Sequence, residues 1–177
     1  SVEDKTLLQN ATLYINLEPC SHYGKTPPCV EQIMQYNIPK VVIGNEDPNA
    51  LVKGKGIAQL KRAGITVIED VLEKECCHLN RRFFSYHQKL RPYIILKWAE
   101  TTNGFMDIKR TNNQPQQYWI TNAELKTLVH KWRSEEDAIL IGYNTLINDK
   151  PQLTTRHFVG KNPIPIIVSR NELKVNN

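Results

Sequence analysis

A chain of 177 residues accommodates one generous domain or two small ones. Its 40% hydrophobic and 23% charged residues exclude disordered, collagen-like and low-complexity classes, and no apolar run approaches the ~18–20 residues of a membrane span. The net charge of +5 is uneven, with +1 over residues 1–90 and +4 over 91–177. That asymmetry fits either a phosphate-bearing ligand in the second half or a solvated basic surface. The polar start Ser1-Val2-Glu3-Asp4-Lys5 is unlike a secretory signal. Four cysteines, of which Cys76 and Cys77 are adjacent, are too few for a disulfide scaffold and place the chain in a reducing cytoplasm.

The elements alternate along the chain. Ala11 to Leu17 mixes β-branched and aromatic residues as a strand does. Pro27-Pro28 opens a helix from Cys29 to Tyr36, with Val30, Ile33 and Met34 at helical spacing. Val41 to Gly44 predicts a short buried strand, and a Gly- and Pro-rich loop runs from Asp47 to Gly56. A helix carrying Ile57 and Leu60 stops near Gly64, then Ile65 to Ile68 is a strand and residues 73–88 form one longer helix. This strand–helix rhythm predicts an α/β layer with parallel pairing. The character changes at Leu90-Arg91-Pro92, where proline ends the helix. Two domains are therefore expected, 1–90 and 91–177.

In the second, Tyr93 to Trp98 predicts a strand and Thr111 to Gln117 a loop. Thr121 and Glu124 form a T-x-x-E capping box ahead of a helix striped by Leu125, Leu128, Val129 and Trp132. Ala138 to Ile141 and Ile164 to Val168 are strands.

The chemistry concentrates around Cys20 and Cys29. One follows a strand and the other begins a helix, whose N-terminus favours thiolate, the metal-binding form. A zinc site would need a third protein ligand, and eight intervening residues exceed the two to four of common zinc knuckles. From spacing alone the pair is either a zinc site or two buried free thiols.

The flanking residues add to this. Pro19-Cys20 resembles half of the cytidine deaminase signature H-x-E…P-C-x-x-C. The lengthened loop from Glu18 to Cys29, the Asp47-Pro48-Asn49 turn with Val52, Gly54 and Gly56, and Leu79-Asn80 with Phe83-Phe84 resemble the deaminase half of the bifunctional riboflavin-biosynthesis deaminase/reductase. Arg91-Pro92-Tyr93 with Leu96-Lys97, Trp119-Ile120-Thr121, Asp137 to Gly142, and Asn144 to Arg156 resemble successive blocks of its reductase half. The resemblance implies a partial cytidine-deaminase-like α/β domain followed by a partial dihydrofolate-reductase-like α/β domain.

It also implies roles, residue by residue. Cys20 and Cys29 match zinc ligands. His22, Lys25, Asp47 and Asn49 match residues beside the deaminase substrate, although Asp-Pro-Asn is a good turn on its own merits. Ala99, Trp119, Thr145 and Asp149 match NADPH contacts. Arg133, Leu153 and Arg156 match residues around a phosphoribosyl substrate, and a guanidinium fork suits a phosphate monoester. A C-terminal helix charge would account for Arg133 on simpler grounds. Lys97 beside Ala99 is placed to meet the substrate ring or to be an ordinary strand lysine, and Gln117 stands where a serine is usual near the substrate.

The H-A-E segment, with the third zinc ligand and the general acid/base glutamate, is absent, and the chain ends before the glycine-rich cofactor loop. The sequence is therefore expected to be an internal fragment that does not itself deaminate, with no catalytic residue of the deaminase in it. The implied parent deaminates a phosphoribosylated diaminopyrimidine with Zn2+ and reduces the product with NADPH to its ribityl form. Its partners are small molecules, with no nucleic acid and no membrane, and homo-oligomerisation is left open. The rival readings are a nucleic-acid deaminase, which would need stacking aromatics among basic residues, and a non-catalytic module with a degenerate metal site.

Overall fold

The structure is a computed structural model describing residues 2–109 and 118–170. The chain divides into two compact units, Ser1–Ile95 and Leu96–Asn177, with the boundary a few residues beyond the proline that follows the first unit's last helix.

In the first unit a short 3-10 turn, Lys5–Asn10, is capped by Asp4, whose carboxylate accepts from the Thr6 N–H at 2.9 Å. It leads into β1 (Thr12–Ile15), α1 (Cys29–Gln35), β2 (Lys40–Ile43), α2 (Lys55–Arg62), β3 (Thr66–Ile68), α3 (Glu73–Leu79) and α4 (Arg81–Lys89). The three strands pair in parallel in the order β1-β2-β3, with Leu13 beside Val41 and Val41 beside Val67. Parallel strands require crossovers, which α1 and α2 supply. The central strand is covered on both sides, so Val41, Val42 and Ile43 are all buried. Val30 and Ile33 from α1, with Ile57 and Leu60 from α2, close the core over it. Gly44, just after β2, admits the Cys76 thiol so closely that a Cβ there would lie 2.3 Å from Sγ.

The single helix expected over 73–88 is two. Asn80 separates α3 from α4, and its Nδ2 donates to the Cys76 carbonyl at 3.0 Å, so a side chain competes for a helical acceptor.

The second unit contains α5 (Ala123–Glu135), β4 (Ala138–Gly142), α6 (Tyr143–Asp149) and β5 (Ile164–Val168), with β4 and β5 parallel. The strand expected from Tyr93 to Trp98 does not form among the described residues, and Ile94, Ile95 and Leu96 are exposed. A β-branched run becomes a strand only against a ladder partner, and none of the described residues pairs with it. The cap of α5 is displaced by one residue from the expected box. Asn122 is the N-cap, its Oδ1 accepting from the Leu125 N–H at 3.0 Å, and Thr121 stands one position ahead of it. In the Thr101–Gly104 turn, Gly104 takes the left-handed conformation (φ 82°), and the Asn103 side chain accepts from the Thr101 hydroxyl at 2.6 Å.

Candidate functional site

Each unit gathers a set of chemistry-bearing residues. In the first, the loop between β1 and α1 folds back so that the Cys29 N–H donates to Cys20 Sγ at 3.2 Å and the Val30 N–H to the Cys20 carbonyl at 3.3 Å. The two thiols are neighbours. Burial pushes the Cys29 thiol up from its ordinary value, and the hydrogen bond with Cys20 acts in the same direction.

Behind Cys20 sits Glu18, 4% exposed. Its Oε2 accepts from the N–H groups of Asp47 (3.1 Å) and Gly54 (2.9 Å), and its Oε1 from those of Gly56 (2.9 Å) and Ile57 (3.2 Å). One carboxylate thus satisfies the opening of α2 and the Asp47 loop together, as an anion at a helix N-terminus should. Gly56 makes this approach possible, because a Cβ would fall 2.2 Å from the Pro19 carbonyl oxygen. Asp47 is buried and its Oδ1 accepts from the Asn49 N–H at 2.8 Å, while Asn49 Oδ1 accepts from the Leu51 N–H at 3.1 Å. These are successive Asx turns. His22 and Lys25 project from the exposed part of the Cys20–Cys29 loop.

Zinc needs at least three protein ligands in a catalytic site. Among the described residues no group of three His, Cys, Asp or Glu side chains is arranged to hold a metal ion. The thiol pair by itself does not fit a zinc ion.

In the second unit the face of α5 turned toward a cavity is not the expected apolar stripe. Leu125 and Trp132 are exposed, and the cavity is met by Lys126, Val129, His130 and Arg133. Their spacing is that of one helix face, rotated by about one residue, or ~100°, from the stripe predicted. This face forms one wall of the cavity, whose volume is about 340 Å³. Trp119 and Thr121 precede it, Lys150, Pro151, Gln152, Leu153 and Arg156 lie opposite, and Lys97 completes the lining. Among the described residues the lining holds five cationic side chains, Lys97, Lys126, Arg133, Lys150 and Arg156, and no carboxylate.

The cavity's walls are pinned. Arg133 Nη1 donates to the Thr154 carbonyl at 3.1 Å, while its Nε is buried with no partner among the described residues. Thr155 is buried and its N–H donates to Asn162 Oδ1 at 2.9 Å. Gly160 abuts Ser134, where a Cβ would meet the Ser134 Cβ at 2.4 Å. Leu153 is 6% exposed and sits at φ 55°, a left-handed conformation that disfavours a side chain and is held here by burial.

The charges act on one another. Partial burial and then Arg133 lower the Lys97 pKa, and burial and then Arg156 lower that of Arg133, which stays cationic. His130, 2% exposed, has its pKa pushed down to about 4, first by burial and then by Arg133, Arg156, His157 and Lys126. Its ring meets that of His157 edge-on at 4.7 Å, and its Nδ1 has no partner among the described residues. Lys126 Nζ stands 4.6 Å from the Trp119 ring centroid, a cation–π distance.

Of the residues singled out from sequence, Lys97, Trp119, Arg133, Leu153 and Arg156 meet in this cavity. Thr145 and Asp149 do not line it; they lie one turn apart on α6. Ala99 is half-buried ahead of the Thr101–Gly104 turn, and Gln117 lies outside the described residues. Sequence reasoning missed Lys126, His130 and Lys150. The first two were legible as positions i−7 and i−3 from Arg133, polar residues repeating on one helix face.

Residues 92–176 match the RibD C-terminal domain family. Relatives named riboflavin biosynthesis protein RibD are similar over most of the chain. The protein from Aquifex aeolicus is 44% identical over 90% of this chain, and that from Synechocystis sp. is 45% identical over 92%. The chain spans 44% and 43% of their respective lengths. Two solved structures share the fold. A diaminohydroxyphosphoribosylaminopyrimidine deaminase/5-amino-6-(5-phosphoribosylamino)uracil reductase from Thermotoga maritima superposes with a TM-score of 0.80 at 42% identity, covering 90% of this chain and 44% of that one. Acinetobacter baumannii RibD gives 0.79 at 33%, covering 96% and 49%. The architecture is α/β with parallel sheets, a fold shared with these solved RibD structures. Among the described residues no helix is long and apolar enough to cross a membrane.

Proposed function

We propose that the second unit is the substrate-binding part of a reductase in riboflavin biosynthesis, and that it holds a phosphoribosylated aminopyrimidine by its phosphate. The observation that carries this reading is the cavity with five cationic side chains and, among the described residues, no carboxylate in its lining. A phosphate dianion is the small ligand such a lining favours, through charge-assisted hydrogen bonds from Arg133 and Arg156. Lys97 reaches the same cavity, where it meets the sugar or ring that the phosphate anchors.

When bound, NADPH would supply the hydride that C1′ of the ribosyl group accepts as its C1′–O4′ bond breaks and O4′ takes a proton from solvent, leaving a ribityl chain. The fit to a phosphate-bearing ligand extends to this cofactor, because Trp119 offers an aromatic face with the Lys126 ammonium close by. Trp119, Ala99, Thr145 and Asp149 are the residues of this chain assigned to it. The protein's contribution is positioning and electrostatics, since the chemistry belongs to the cofactor.

In the first unit, Cys20 and Cys29 are the thiol pair of the pyrimidine deaminase of a longer parent, with His22, Lys25, Asp47 and Asn49 near its substrate. The pair supplies two of the three protein ligands that a catalytic zinc needs, and this chain by itself is proposed not to deaminate. A second reading of that unit by itself is a non-catalytic α/β module in which Cys20 and Cys29 are free thiols, as Cys76 and Cys77 are. The ligands are small molecules, not nucleic acid, and the protein is cytoplasmic.

The test is steady-state kinetics of both half-reactions in the longer parent. Arg133→Ala raises the KM of reduction and leaves deamination unchanged. Equal losses in both would defeat the assignment.

A further inference from the structure

His130 is the most deeply buried polar side chain among the described residues of the cavity wall, and it has no part in grasping the phosphate as proposed above. Its surroundings are unusual for an imidazole. From α5 it is faced by Lys126 and Arg133, and from the segment after α6 by Arg156 and His157. Lys97 and Lys150 line the same cavity, and among the described residues no acidic side chain does. Two buried polar atoms of α5 have no partner among the described residues, His130 Nδ1 and Arg133 Nε. Buried polar atoms are almost always paired, and two orphans on one helix face beside a cationic cavity point to a ligand that completes them.

Resting on the oxyanion reading of this cavity, we infer that His130 takes up a proton when a doubly charged oxyanion enters, so that ligand binding here is proton-linked. The reason is the sign of the local field. Without an anion, burial and four neighbouring positive or polarisable groups keep the imidazole neutral. A dianion in the cavity reverses that field, and the imidazolium then carries an N–H on both ring nitrogens, with the anion to receive one of them. The proton comes from solvent and returns on release; no bond other than N–H changes. By reciprocity, an anion that raises the proton affinity of His130 is itself bound more tightly as protons become available.

The probe is sulfate, which stays a dianion over the range used and does not add its own titration, as inorganic phosphate would. Its affinity for this chain is measured by calorimetry, with the His130 ring proton followed by NMR with and without sulfate. Sulfate is expected to bind about tenfold more tightly at about pH 5.5 than at about pH 7.5, which by linkage requires the His130 titration midpoint to rise by about 2.5 pH units from its ligand-free value of about 4. His130→Gln abolishes the pH dependence, and His157→Gln retains it. Equal sulfate affinity at both pH values with an unmoved His130 midpoint overturns the inference and leaves the oxyanion reading intact. No sulfate binding at either pH overturns both. The NMR titration of the unaltered chain decides the matter even where His130→Gln fails to fold.

Discussion

Arg133 is bound to the backbone of the segment it faces, its Nη1 donating to the Thr154 carbonyl at 3.1 Å. That bond ties α5 to the turn between Leu153 and Arg156 and fixes the guanidinium before any ligand arrives. A preorganised fork loses little entropy on meeting a phosphate.

Arg133→Ala should therefore weaken phosphate-bearing ligands by ~1.5–3 kcal/mol, about ten- to a hundredfold. Arg133→Lys should recover less than half of that, because an ammonium cannot both hold Thr154 and present a planar fork. Ribose 5-phosphate and ribose, titrated in parallel, make the check. A loss confined to the phosphorylated sugar is the expected result.

Glu18 gives a stability prediction. Four backbone N–H groups converge on one buried carboxylate. Glu18→Ala leaves all four without an acceptor and should cost roughly 3 kcal/mol or more. Glu18→Gln retains one oxygen but turns an NH2 toward N–H donors, so it should restore only part of the loss. Urea denaturation followed by circular dichroism measures both.

The glycines separate packing from composition. Gly56→Ala places a Cβ 2.2 Å from the Pro19 carbonyl oxygen and should destabilise by about 1–3 kcal/mol. A Cβ added at Gly24 would meet nothing within 4 Å, and Gly24 has no positive φ. Gly24→Ala should therefore stay within about 0.5 kcal/mol of the unaltered chain. Equal effects at the two sites would contradict the packing described around Glu18.

His130 predicts how stability follows pH without ligand. Its folded pKa, about 4, lies below the ordinary 6.5, so the unfolded chain binds the proton more readily. Its contribution is full above about pH 6.5 and is lost as the pH falls toward 4, a change of up to roughly 3 kcal/mol at about 1.4 kcal/mol per unit. Thermal denaturation between these limits should show a falling Tm, and His130→Gln should flatten the slope. Added sulfate should oppose the fall.

Much of the architecture is legible from residue order. Period-two and helical patterning locate β1, α1, β2, α2 and β3, because each buries apolar side chains against an immediate neighbour in the chain. Cys20, Cys29, Asp47 and Arg133 are singled out by the resemblance of the motifs around them, where spacing alone leaves free thiols, a turn and a helix-end charge as alternatives. Tertiary structure alone decides the rest. Tyr93 to Trp98 has strand composition but no ladder partner among the described residues, and pairing is a non-local event that composition cannot supply. On α5 hydrophobicity marks Leu125 and Trp132, whereas the face that meets the cavity carries Lys126, His130 and Arg133. Charged side chains can occupy an inward face when a polar cavity lies beyond it, and which face that is depends on the segment from Lys150 to Arg156 folding so as to line the same cavity. Glu18 makes the same point. The sequence by itself marks it as one acidic residue before a proline, and only the return of Gly54, Gly56 and Ile57 to its carboxylate makes it the anchor of the loop.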